Sequence, residues 1–372
     1  MTFQRRGSGR SRLVLIATLL TLLGIVAADP VAGQAPTGVA RSAAASAANP
    51  TNPLAGGRWG VYTGSADGVY PAYQRASGRA KTLLGKIALR PRVRWFGSWM
   101  SPADAAAKLR DYIVQTQAGD PDVLVQLAVF RLWPRGEGAK NKPLTAADQA
   151  AYRQWVDAAA QAIGDARVAM ILEPDLAVSL SGWQPQVRQQ LTAYAAHVFG
   201  QLPRTAVYID ASDSDWLTVP AAVDLLTHSG IAEVRGFALG ATHYSSTAEN
   251  VAYGSRLVAA LAQAGVPGRH FVIDTADNGR PFTWLQYRAA HPRGDFDNAQ
   301  ACRTRRQQRC DTLGIPPTAD VAAPQWGLPA GTASAAQALV DGYLWFGRPW
   351  LYRQAAPFLR KRALQVARTT PY

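Results

Sequence analysis

Two carboxylates, Glu173 and Asp175, flank a proline directly after an apolar run at residues 168–172. A short apolar run closed by proline reads as a buried strand, because proline cannot continue a central ladder. The C-terminal end of such a strand is where barrels and open α/β sheets place their chemistry. Acids there can move protons or hold a ligand. The plainer alternative is a turn that only caps the next helix. The association recurs along the chain. Polar or aromatic clusters follow apolar runs at residues 95–99, 135–137, 210–216, 242–244 and 274–278. Clusters repeated on one side of alternating elements predict one shared site. Its content is carboxylates and tryptophans. Aromatic rings stack on the apolar faces of sugars, and paired acids transfer protons. Histidines are scattered without metal-ligand spacing. There is no Gly-x-Ser-x-Gly elbow and no phosphate-cradling glycine loop. Neither a metal nor a cofactor is expected.

The elements that must position these residues follow from periodicity and punctuation. Strands are predicted at 93–99, 123–130, 168–172, 206–209, 236–239, 270–273 and 342–345. Helices are predicted at 73–88, 102–117, 145–163, 186–200, 220–229 and 247–264. Ser101 followed by Pro102 is a helix start, with serine as cap and proline at the first position. Strands alternating with helices predict a parallel sheet with crossover connections, closed or open.

The chain has 372 residues, 48% hydrophobic and 17% charged. That suffices for a large core, and a single domain over 52–372 is the economical reading. Residues 1–35 read as a secretory signal. Arg5, Arg6, Arg10 and Arg12 precede an apolar run at 13–28, and small residues lead to Ala35. An uncleaved anchor is the alternative. Residues 36–51, rich in Ala, Ser, Thr and Pro, read as a disordered spacer. Cys302 and Cys310 lie eight apart. An exported chain can oxidise them into a local staple, with free thiols the alternative. The net charge is +14. Arginines are dispersed except for Arg303, Arg305, Arg306 and Arg309 inside the cysteine loop. No nucleic-acid motif accompanies them, so no nucleic-acid partner is expected. Loose attraction to an anionic cell envelope is the secondary reading. A monomer is expected.

Over residues 52 to about 346 the sequence resembles glycoside hydrolase family 6, the cellobiohydrolases and endo-β-1,4-glucanases. Asn52-Pro53-Leu54-Ala55-Gly56 is similar to the family's N-P-F-A-G, and Trp95-Phe96-Gly97-Ser98-Trp99 to W-F-G-D-W. Leu172-Glu173-Pro174-Asp175 matches I-E-P-D. Val207 to Ala211 with Trp216 matches V-Y-L-D-A…W-L. Gly236 to Leu239, Asp274 to Gly279 and Gly342 to Trp345 match G-F-[AS]-L, D-T-S-R-N-G and the final strand. Each motif is weak alone; their shared order and spacing carry the resemblance. It implies a distorted parallel β/α barrel and inverting cleavage of β-1,4-glucan, with a polysaccharide as partner.

Carried over residue by residue, the resemblance implies Glu137 as general acid, one step from the family position that Gly136 occupies. It implies Asp274 as base and Asp175 as a supporting carboxylate. Ser98 stands where the family has aspartate, and would hold water without supplying charge. The family's L-W-[IV]-K-x-P-G-E segment reads Leu344 to Leu351 here, with Arg348 in reach of the lost lysine's charge. Trp95, Trp99 and Trp216, with His243 and Asn278 from the strand-end clusters, are the expected sugar contacts. The rival reading is a glycan-binding protein at the cell envelope that kept the barrel and lost catalysis.

Overall fold

The computed structural model describes Asn49 and residues 51–372. The signal at 1–35 and nearly all of the spacer at 36–51 lie outside the described residues. No described helix is long and apolar enough to cross a membrane.

Seven strands form one sheet: β1 (Arg94–Gly97), β2 (Val125–Phe130), β3 (Val168–Leu172), β4 (Thr205–Asp210), β5 (Gly236–Leu239), β6 (His270–Asp274) and β7 (Val340–Leu344). Each pairs in parallel with the next, in chain order. Before β1 come α1 (Val69–Gln74) and α2 (Gly78–Ala88), and between the strands run α3 (Pro102–Gln117), α4 (Ala146–Ile163), α5 (Pro185–Gly200), α6 (Val219–His228), α7 (Thr247–Gln263), α8 (Trp284–Ala290) and α9 (Ala330–Leu339). After β7 come a short hairpin, β8 (Leu351–Tyr352) with β9 (Ala355–Phe358), and α10 (Arg360–Thr369). The sheet curls into a half-barrel. Its two edges meet at one backbone bond, from the Val93 amide to the Trp345 carbonyl at 2.9 Å.

The sheet strands are mostly apolar because both faces are covered. On the outer face Leu127, Val129, Met170, Leu172, Val207 and Ile209 pack under the helices. On the inner face Ala128, Ala169, Ile171, Ala206, Ala238 and Val272 pack against Trp95, Tyr208 and Phe346. Alanine recurs inside because the concave side of a tight curl leaves little room. Close approach is most severe at Gly236, where a Cβ would stand 1.7 Å from the His270 carbonyl oxygen.

Helix starts behave as their sequences dictate. Ser101 Oγ accepts from the Asp104 amide with Pro102 at the first position, and Thr145 with Asp148 forms a capping box. The expected helix at 73–88 is instead two. Ser77 is extended and Gly78 has φ +50°, which breaks the helical path between α1 and α2. The last strand begins at Val340, two residues earlier than expected. The hairpin and α10 were not anticipated. Cys302 and Cys310 form the local disulfide.

Candidate active site

The turn after β3 sends its two carboxylates in different directions. Glu173 has φ +52° and Asp175 φ +64°. Ser212 beyond β4 (φ +75°) and Thr242 beyond β5 (φ +58°) share this left-handed backbone. Such non-glycine conformations cost about 1 kcal/mol or more each and collect at working sites. Here they gather at the C-terminal edge of the sheet. Glu173 turns inward and is fully buried. One oxygen accepts from the amides of Arg131 (2.9 Å) and Leu132 (3.1 Å), and the other from the Tyr152 hydroxyl at 2.8 Å. Burial raises its pKa to about 7, against the pull of those donors. Glu173 therefore anchors the loop leaving β2. Asp175 turns outward into a cleft of about 650 Å³. Its Oδ1 accepts from Thr242 Oγ1 at 3.0 Å.

Four carboxylates line that cleft: Asp67, which is paired with Arg92, and Asp175, Glu137 and Asp297. Glu137 and Asp297 keep much of their surface open to water, whereas Asp175 is buried. Burial raises Asp175 to about 7, the charges of Glu137 and then Asp297 adding to it. Thr242 and His243 oppose this rise. The crowded cleft wall, then the charge of Asp297, also raises Glu137. Acids that repel one another share protons, and the most buried member holds its proton longest. Nothing in the sequence linked Asp297, in the loop after α8, to the other two.

Opposing charge and aromatic surface complete the walls. The Arg348 guanidinium lies 3.9 Å from the centre of the Trp95 ring. Burial lowers Arg348 to about 9, against the charges of Asp175 and Asp274, so it stays a cation at neutral pH. Trp95 is buried and donates Nε1 to the Phe346 carbonyl at 2.9 Å, which fixes its ring in the wall. Trp99 is 57% exposed. It presents an open aromatic face to the cleft. The β8–β9 hairpin supplies another wall through Arg353, Gln354 and Ala355. Its two-residue turn has φ +47° at Arg353 and +57° at Gln354, the conformation a tight hairpin demands. Gln354 pins the turn by donating to Asp277 at 2.8 Å and accepting from the Arg348 amide at 2.5 Å.

Other expected site residues are placed differently. Asp274 is buried at the end of β6 and does not line the cleft. It accepts from the Ala276 amide at 2.8 Å and from the Gly347 amide. Burial lifts it to about 7, against the amides of Ala276, Gly347 and Phe346 and the charge of Arg348. Asp274 thus holds the backbone that carries Arg348. Ser98 donates its hydroxyl to the Trp133 carbonyl at 2.8 Å, leaving only lone pairs for water. Asn278 is buried and donates to the Ser245 carbonyl (3.1 Å) and Thr247 hydroxyl (3.3 Å). That makes it a tie between loops instead of an open contact. Trp216 and His243 stack on each other at 5.0 Å, with planes 10° apart, and neither lines the cleft. His243 Nδ1 lies 2.6 Å from Asp215 Oδ1. Burial alone would lower the imidazole, but that hydrogen bond and the charges of Asp213, Asp215 and Asp175 outweigh it and raise its pKa. Folding thus gathers Asp213, Asp215 and His243 within 4.8 Å, a grouping invisible in sequence. Asn250, Ser214, the Asp215 amide and the Trp284 amide already occupy the carboxylate oxygens.

Known proteins resemble this chain in sequence and in fold. A family model described as glycosyl hydrolases family 6 matches residues 61–324. Endoglucanase A of Cellulomonas fimi is 35% identical over 222 residues, covering 59% of this chain and 47% of that protein. Endoglucanase 1 of Streptomyces halstedii is 30% identical over 214 residues, covering 56% of this chain and 65% of that protein. The chain thus spans about half to two thirds of the length of these curated relatives. The endoglucanase Cel6 from Mycobacterium tuberculosis, solved with methyl-cellobiosyl-4-deoxy-4-thio-β-D-cellobioside, superposes with a TM-score of 0.66 at 27% identity. That match covers 85% of this chain and 98% of the other. The family model takes in β1 to β6 and all four cleft carboxylates, well over half of the sequence, and on that match the chain belongs to the glycosyl hydrolases of family 6.

Proposed function

We propose that the protein is an exported glucan-cleaving hydrolase that works by inversion, with Asp175 as general acid and Glu137 as general base. One observation carries the reading. Asp175 lines an aromatic cleft, yet burial and neighbouring negative charge keep its proton up to about pH 7. A general acid must enter the reaction protonated, and its partner ionised. The sequence suggested Glu137 as acid and Asp274 as base. Glu137 is more open to water and suits the base. Asp274 has its oxygens engaged by backbone amides and suits a holding role. In the proposed step Asp175 protonates the glycosidic oxygen as its bond to the anomeric carbon breaks. Water attacks that carbon from the opposite face, and Glu137 takes the water's proton. Solvent exchange then restores both acids. A solved relative at 27% identity holds a thio-linked cello-oligosaccharide, which supports a β-1,4-glucan in this cleft. Export rests on residues 1–35, and N-terminal sequencing of the protein from culture supernatant checks it.

The test is reducing-end release from soluble β-glucans, with the product anomer followed by NMR. Release of the inverted anomer, lost in Glu137→Gln, is expected. Release of the retained anomer would exclude inversion. Binding without release from any substrate would leave the glycan-binding reading. Two further outcomes follow from the cleft. Trp99→Ala removes an exposed stacking face, so KM should rise about 5–10-fold with kcat nearly unchanged and no loss of thermal stability. Asp297→Asn removes one of the charges that hold the proton on Asp175. The alkaline limb of the kcat–pH profile should then move to lower pH. An unmoved limb would disconnect Asp297 from the acid.

A further inference from the structure

A second groove, also about 650 Å³, lies between α2, the disulfide loop and α10, and shares no lining residue with the cleft. Arg79 and Lys86 come from α2, Arg303 and Arg305 from the loop, and Arg368 from α10. Among the described residues no Asp or Glu lines it, and none of these five cations forms an ion pair with an Asp or Glu side chain. Elsewhere this chain pairs its arginines readily, as in Arg92–Asp67, Arg235–Asp341 and Arg353–Asp295. In the groove the cations are steadied by main-chain oxygens instead. Arg305 Nε donates to the Arg368 carbonyl (3.1 Å), Arg368 to the Arg303 carbonyl (3.4 Å) and Lys86 Nζ to the Tyr372 oxygen (3.1 Å). These bonds orient the groups and leave the arginine charges without a side-chain carboxylate partner. Partial burial, with repulsion from Arg305 and Arg90, lowers the pKa of Lys86, as expected of crowded like charges.

We propose that this groove is a binding site for an anionic polysaccharide, gripped through its carboxylate or phosphate groups. Guanidinium forks match both anions. Two helices and a disulfide-closed loop form the groove in advance, so little ordering is needed on binding. Among the described residues no aromatic side chain lines it, so they offer no stacking platform of the kind single-stranded nucleic acid uses. Anion binding stands on the groove alone; the assignment to a glycan rests on the proposed function of the cleft. The site would hold the enzyme on a charged matrix while the cleft works on glucan.

Affinity electrophoresis of the full chain in gels containing polygalacturonate, phosphate-bearing teichoic acid, hydroxyethylcellulose or DNA tests it. The variant Arg79→Gln/Arg303→Gln/Arg305→Gln changes exposed side chains only. It should lose about 10-fold or more in affinity for at least one of the anionic glycans at low salt. Whichever glycan is lost identifies the anion. A control with the same charge removed elsewhere, Lys108→Gln/Arg110→Gln/Arg256→Gln, should lose less than about twofold. Hydrolysis of neutral glucan should be the same in both. Equal losses in the two variants would overturn the site, leaving only net charge. DNA bound as well as either glycan, and lost in the same variant, would overturn the glycan assignment. Absence of hydrolysis with the selective loss intact would remove the proposed activity and leave the groove standing.

Discussion

Asp175→Asn is expected to lower kcat on cello-oligosaccharides by about 10²–10⁴-fold, the usual contribution of a positioned acid. The substitution keeps the side chain's shape and its hydrogen bond from Thr242, so the fold should be undisturbed. The decisive comparison is the leaving group. A sugar departs as a poor leaving group and needs a proton; an activated aryl glycoside departs as a stable phenolate and does not. Loss should therefore be severe for the first substrate and mild for the second. Equal loss on both would make Asp175 a binding residue and refute its role as acid. The sign of the pH dependence follows from the same group. The proposed acid acts only while protonated, and the pKa of Asp175 is raised to about 7. The wild-type rate should fall as pH climbs through that value. The acid limb should follow the titration of the base, Glu137.

Glu173→Ala, two residues away, should give the opposite result: an unstable protein with no specific defect in chemistry. The substitution leaves the amides of Arg131 and Leu132 and the Tyr152 hydroxyl without their acceptor in a dry interior. Each unpaired buried donor costs about 1–3 kcal/mol, so a total of about 3–5 kcal/mol is expected. Denaturant titration measures it directly. Glu173→Gln keeps the volume and one acceptor and should cost less. Where Glu173→Ala remains folded at low temperature, its leaving-group dependence should match the wild type. A change of under about 1 kcal/mol would show that the loop after β2 is held by other contacts. The pair of variants thus separates the two acids of one motif into a reactive group and an anchor.

Much of this protein is decided within short stretches of chain. The apolar run at Val168–Leu172 is a strand because it is short, closed by proline and buried on both faces. Ser101 and Thr145 start helices because their hydroxyls reach amides three residues on. Alternation of such elements forces parallel pairing through crossover helices, and the order of motifs identified the family before any coordinates did. The acids at strand ends were visible too, Asp175 among them.

Tertiary structure decided which of those acids faces the cleft. Glu173 and Asp175 stand on either side of one proline and are alike in chemistry, and only the left-handed turn after β3 sends one into the core and the other into the cleft. Asp274 looked like a base in sequence, but the turn at Gly347 folds over it and occupies it. Asn278 became a tie between loops. Asp297 and the Arg353–Gln354 turn joined the cleft from segments far along the chain, with no local pattern to announce them. The reason is physical. Helix, strand and cap formation depend on neighbours a few residues away, which sequence displays. Burial, shared protons and cation placement depend on which distant groups meet, and only the closed fold brings Glu137, Asp175, Asp297 and Arg348 to one wall.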